Sequence, residues 1–155
     1  MRARDLMSFS PITVTLADTV GYAAELMRER GVGCLPVVDA RSTLHLRGVI
    51  TDRDIVVRCV AQGHGSECKV CDHMTAAPLH TASPADDVHV VLRRMEAAQV
   101  RRMPVIGLEG RVLGIIAQAD VARKLGPTEP MAVEELLEGL STPGLARLGV
   151  QPAGR

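Results

Sequence analysis

Gly48-Val49-Ile50-Thr51-Asp52-Arg53-Asp54-Ile55 reads as the end of a strand running into a capped helix, and Gly114-Ile115-Ile116-Ala117-Gln118-Ala119-Asp120-Val121 repeats that reading later in the chain. Working outward from these two stretches, further anchors fall into register. Gly31-Val32-Gly33-Cys34-Leu35-Pro36-Val37-Val38 lines up with Gln99-Val100-Arg101-Arg102-Met103-Pro104-Val105-Ile106. Asp18-Thr19-Val20 matches Asp86-Asp87-Val88, and Pro11-Ile12 answers to Pro78-Leu79. Ala3-Arg4-Asp5-Leu6-Met7-Ser8 is echoed by Val70-Cys71-Asp72-His73-Met74-Thr75. The chain is therefore two copies of one motif of roughly sixty residues, followed by a tail.

Each copy has the same order of elements. Short strands are expected over 12–15 and 79–82, and helices after N-caps at Asp18 and Asp86. Val20, Ala23, Ala24 and Met27 form one helical stripe, as do Val88, Val91, Leu92 and Met95. Apolar strands follow over 34–38 and 103–106, then strands over 45–50 and 111–116, and in copy two a tight turn at 107–110 joins 103–106 to 111–116. Helices over 52–61 and 118–125 close the units. A three-stranded unit of this size leaves one sheet face bare, so two β-α-β-β-α motifs are expected to pack sheet to sheet in one pseudo-twofold α/β body. Beyond it, one short helix is expected over 131–138, and 141–155 is Gly- and Pro-rich.

The composition removes several classes. Of 155 residues, 46% are hydrophobic and 23% charged, which suits a globular chain. Eighteen basic residues balance eighteen acidic ones, and one Phe, one Tyr and no Trp leave little for stacking bases. Nucleic acid is not an expected partner. No apolar run reaches the roughly eighteen residues of a membrane span, and Met1-Arg2-Ala3-Arg4-Asp5 leads into no signal-like stretch. The expectation is a cytoplasmic chain without membrane contact. Its four cysteines are expected as reduced thiols.

Two features carry candidate chemistry. Thr51-x-x-Asp54 is a capping-box pattern, and capping is the commonest meaning of such a pattern at a helix start. In the second copy Ala117 cannot cap through a side chain, yet Asp120 stands at the acid position. An acid without its hydroxyl partner points to a carboxylate accepting from a ligand diol. The second feature is Arg101-Arg102 where copy one has Gly33-Cys34. Guanidiniums brought to a central cleft would bind phosphate through charge-assisted hydrogen bonds, with Arg53 as a third.

With the double β-α-β-β-α repeat, the opening Asp-x-Met-Ser/Thr, the Leu/Met-Pro-Val and the closing Gly-h-h-Thr-x-x-Asp in place, the chain resembles a tandem pair of CBS domains, a Bateman module. It is similar in particular to small stand-alone CBS proteins of the hypoxic-response type. The resemblance spans residues 1 to about 126 and implies motifs at 1–62 and 70–126, a linker at 63–69 and a tail at 127–155. It implies a non-catalytic regulatory module binding an adenine nucleotide (AMP, ADP or ATP) between the motifs, with S-adenosylmethionine or NAD as other family ligands. Asp54 and Asp120 would hold ribose, with Thr51 assisting. Arg101 and Arg102 would face phosphate. Ile12, Thr13, Val14, His80 and Thr81 before the helices, and Cys34, Leu35, Pro36, Met103 and Pro104 at the strand entries, would wall the adenine. Ala117 and Gly33-Cys34 depart from the family pattern, so unequal sites are expected, with the Thr51–Asp54 site the stronger. The resemblance also implies a homodimer and an unidentified protein partner. A ligand-free dimeric scaffold is the competing reading.

Cys68-Lys69-Val70-Cys71 with His64 and His73 has a spacing that zinc tolerates. Cys71 and His73 nevertheless sit at ordinary helical positions of the repeat, so no metal is expected. Nor does the sequence offer a Ser/His/Asp set or a phosphate-cradling Gly loop, so no enzyme is expected.

Overall fold

The computed structural model describes residues 1–141. Copy one contributes α1 (Ala3–Leu6), β1 (Ser8–Phe9), β2 (Val14–Thr15), α2 (Val20–Arg30), β3 (Cys34–Val38), β4 (Leu46–Thr51) and α3 (Asp52–Asp54). The helix begun by α3 widens into a π-helix over Ile55–Cys59 and tightens to a 3-10 turn over Val60–Gln62. Copy two contributes α4 (Val70–His73), β5 (Thr75–Ala76), α5 (Val88–Ala97), β6 (Arg102–Ile106), β7 (Val112–Ala117) and α6 (Gln118–Leu125), and α7 (Pro130–Ser141) follows. The expected tail helix is longer than 131–138, while most of the Gly- and Pro-rich tail, from 142 on, lies outside the described residues.

The strands form two sheets, in the orders β2-β3-β4-β5 and β1-β7-β6. Each opening segment docks on the other copy's body: β1 pairs antiparallel with β7, and β5 antiparallel with β4. The close approach is possible because glycine stands at the crossing. A Cβ on Gly48 would lie 2.6 Å from the Thr75 carbonyl oxygen, and one on Gly114 would lie 2.6 Å from Met7 Sδ.

All five residues of β3 are buried. Side chains alternate across a strand, so Leu35 and Val37 enter the core with Val14, Val20, Ala23 and Ile50, while Cys34, Pro36 and Val38 are covered on the opposite face. A strand covered on both faces is the outcome the packing argument required. The second core gathers Val88, Val91, Met95, Met103, Val105, Ile116 and Val121, with Val133, Leu136 and Leu140 of α7 added.

Two local expectations need correction. The N-caps are Thr19 and Asp87, one residue beyond Asp18 and Asp86. Asp18 and Asp86 instead accept from Thr15 N and Ser83 N, closing the preceding turn and leaving the next residue to cap. The strand expected over 79–82 reduces to a single bridge from Ala82 to Val105. Among the described residues, no helix is long and apolar enough to cross a membrane.

Candidate functional site

The two strand-to-helix turns differ in how their acids are used. Thr51 Oγ1 accepts from Asp54 N at 3.1 Å, and Asp54 Oδ2 accepts from Thr51 N at 3.0 Å and from the Thr51 hydroxyl at 2.8 Å. Asp54 Oδ1 lies 3.5 Å from Arg58 Nε. Thr51 and Asp54 thus form a complete capping box. In copy two Asp120 Oδ2 accepts from Ala117 N at 3.1 Å and Oδ1 accepts from Arg123 at 2.7 Å. The sequence argument that capping cannot account for Asp120 is thereby corrected. The acid's half of the box closes on backbone N–H and needs no hydroxyl.

A cleft of ≈ 510 Å³ lies between the halves. Copy one supplies Ser10, Pro11, Ile12, Gly33, Cys34 and Leu35 to its wall, and copy two supplies Arg102, Ile115, Ala117, Asp120 and Arg123. Asp120 is only 8% exposed, whereas the Arg123 side chain that holds it is 69% exposed. Gly33 leaves space here: a Cβ at that position would lie 3.2 Å from an Arg102 guanidinium nitrogen and 2.7 Å from an Asp52 carboxylate oxygen. Burial pushes the Cys34 thiol up to about 11; the Arg102 charge opposes this, while Asp54 and Asp52 add to it. Cys34 is consequently a neutral wall residue.

Of the sequence-derived site residues, the cleft brings together Ile12, Cys34, Leu35, Arg102 and Asp120. Thr51, Asp54, Arg53, Arg101, Thr13, Val14, Pro36, His80, Thr81, Met103 and Pro104 are not among its lining residues. Val14 is fully buried in the first core, and Met103 in the second. Arg101, Arg53 and His80 are exposed. The twofold counterparts of Gly33 and Cys34 are Arg101 and Arg102, and of these two arginines Arg102 lines this cleft while Arg101 does not. Sequence reasoning missed Arg123, whose i, i+3 spacing from Asp120 was the available signal.

The CBS domain family model matches residues 3–60 and 70–127. The chain belongs to the CBS-domain family. Hypoxic response protein 1 of Mycobacterium tuberculosis is 36% identical over 123 residues, covering 79% of this chain and 84% of that protein. Among solved CBS structures, Hypoxic Response Protein I with two coordinated zinc ions is 34% identical with a TM-score of 0.71, covering 79% of this chain and 98% of that one. The CBS domain pair of MJ0100 in complex with 5-methylthioadenosine and S-adenosyl-L-methionine is 26% identical, TM-score 0.73, covering 83% and 98%. CBSX2 in complex with AMP is 26% identical, TM-score 0.67, covering 79% and 93%. The chain shares its fold with these proteins.

Proposed function

We propose that this protein is a non-catalytic regulatory module that binds an adenine nucleotide of the AMP, ADP or ATP type in the cleft between its CBS motifs. The observation that carries this reading is one buried carboxylate, Asp120, in a cleft that also holds Arg102 and Arg123. Its volume falls within the roughly 300–1,000 Å³ usual for small-ligand sites. Ile12, Leu35 and Ile115 offer an apolar wall for a base. Asp120 would accept from the ribose hydroxyls, and Arg123, released from Asp120, would join Arg102 on phosphate. The AMP and S-adenosylmethionine complexes of the CBS relatives support this ligand class. The Thr51–Asp54 turn would serve the second, weaker site, the reverse of the order expected from sequence.

Binding would act by favouring one arrangement of the two halves, and only to the extent that the ligand's affinity differs between arrangements. A protein partner in the cytoplasm would read that difference. The exposed Val56, Val57 and Val60 on the helix after β4 favour a second role for that surface, pairing with another copy.

Isothermal titration and thermal shift with AMP, ADP, ATP, S-adenosylmethionine and NAD test the proposal. Ligand at about 100 times its Kd should stabilise by about 2.7 kcal/mol, a rise of roughly 5–10 °C for a domain of this size. Asp120→Ala should weaken binding about 10- to 150-fold, the equivalent of about 1.5–3 kcal/mol for a charged hydrogen-bond partner. No response to any ligand would leave the ligand-free scaffold as the surviving reading.

A further inference from the structure

His73 and Asp120 are the two buried polar residues among the described ones. Asp120 belongs to the cleft. His73, 4% exposed, lies on the opposite side of the repeat logic, and the twofold comparison exposes how odd it is. Its counterpart is Leu6, and the counterpart of Cys59 is Leu125; both leucines are fully buried in the second core. The surrounding frame is the same in the two halves. Lys124 Nζ donates to the Leu6 and Met7 carbonyls at 2.8 and 3.2 Å, and Arg58 donates to the His73 and Met74 carbonyls at 3.3 and 2.8 Å. Where one half packs leucine on leucine, the other half places an imidazole beside a thiol. Burying an imidazole costs stability unless polar partners compensate it.

A second thiol arrives from the linker. The helix after β4 widens to a π-turn ending on Cys59, whereas the equivalent residues of α6 stay α-helical. Such wide turns recur at functional sites. The chain then reverses at Gly63, whose φ is 75°, and His64 N donates to the Cys59 carbonyl at 3.0 Å. Cys68 N donates to Gly65 O at 3.3 Å, and Cys68 O accepts from Val20 N at 2.8 Å, pinning the loop to the start of α2. The Cys59 and Cys68 sulfurs and a His73 ring nitrogen then lie within 4.8 Å of one another. The His64 ring centroid is 5.2 Å from that of His73.

We propose that Cys59, Cys68 and His73 form a zinc site that fastens the linker and α4 to the helix end of copy one, with His64 or water in the fourth position. Two thiolates and an imidazole are a soft donor set that suits zinc and disfavours magnesium or calcium. Bonds of about 2.3 Å to sulfur and about 2.0–2.1 Å to nitrogen put tetrahedral ligand atoms about 3.5–3.8 Å apart, so closure of about 1 Å completes the site. The ligand set differs from the Cys68–Cys71 pair suggested by sequence spacing. Cys71 is exposed and its thiol turns to Asp72 at 3.6 Å. Cys68 is half-buried. The site is remote in composition from the nucleotide cleft, sharing no residue with it.

The full chain, purified with reductant and without chelator, should carry about one zinc per chain by elemental analysis. Cobalt(II) added to the stripped protein should give thiolate-to-cobalt charge transfer and the visible bands of a tetrahedral centre. Cys68→Ser should lose both signals, and Cys71→Ser should keep both. The double variant Cys59→Leu with His73→Leu copies the Leu125–Leu6 pair of the other half, so it should stay folded by circular dichroism while losing the cobalt bands. Chelator should lower the melting temperature of the wild type and leave that of the double variant in place. Wild-type protein that takes up neither zinc nor cobalt would overturn the proposal. So would metal binding retained by the folded double variant, or a mass about 2 Da low that maps a Cys59–Cys68 disulfide under these conditions.

Discussion

Gly48→Ala adds one methyl group where β5 crosses β4, and the structure says what that methyl meets. Its Cβ would sit 2.6 Å from the Thr75 carbonyl oxygen and 2.7 Å from Met74 Sδ. The sulfur ends a flexible side chain and can swing away. The carbonyl is backbone in a strand that Gly48 itself pairs with, through the Gly48–Ala76 and Val49–Thr75 register, so β5 must shift or peel. Overpacking of this kind costs about 1–3 kcal/mol. Against it stands the smaller unfolded-state entropy of alanine, which stabilises by about 0.4–1 kcal/mol where the conformation is compatible. Steric cost wins by about 1.3 kcal/mol, a fall of roughly 3–5 °C in melting temperature for a domain of this length. Differential scanning calorimetry measures it directly. Gly114→Ala is the internal comparison: there the 2.6 Å contact is to Met7 Sδ and the nearest backbone oxygen, of Ser8, is 2.9 Å away, so its loss should be smaller. A Gly48→Ala melting point within about 1 °C of wild type, or a larger fall for Gly114→Ala, would refute the view that these motif glycines exist to admit the crossing strands.

Thr51→Ala removes the hydroxyl that caps Asp54 N and should cost about 1 kcal/mol, while nucleotide affinity at the Asp120 cleft stays unchanged by titration; a matching loss of affinity would place Thr51 in the principal site. His89 Nε2 is 2.6 Å from Glu129 and Nδ1 is 3.2 Å from Asp87, and these carboxylates hold the His89 pKa above its usual value. The stabilisation is therefore fully present below about pH 6.5 and fades as pH rises through the elevated folded value. Glu129→Gln should lower the melting temperature at about pH 6 and converge with wild type in alkaline buffer; being half-exposed, the contact contributes at most about 1 kcal/mol. A difference that grows with pH would contradict the pairing.

Much of the fold was legible because it depends on side-chain period. The β3 boundary, Cys34–Val38, agrees with the apolar run from which it was read, and α6, Gln118–Leu125, agrees with the helix expected to close the second unit. Repetition supplied what a single motif could not, a reason to expect strands covered on both faces. Reading failed where two neighbouring residues offered the same chemistry. At Asp18-Thr19 and Asp86-Asp87 either residue can cap, and only the preceding turn decides which carboxylate is already engaged. Asp120 misled in a similar way, since a half-closed capping box is invisible to an argument that counts hydroxyls.

Sequence periodicity and internal repetition alone determined that this chain makes two like α/β halves, because burial of apolar faces depends on spacing along the chain and little else. Which side chains meet across those halves was decided in space. The exchange of opening segments carries α4 onto copy one, and it is this exchange that sets His73 beside Cys59 rather than beside its own repeat. The Asp120 cleft likewise depends on a glycine in one copy standing clear of an arginine in the other. Such contacts join residues far apart in the chain, and no local pattern encodes a distance that only tertiary packing creates.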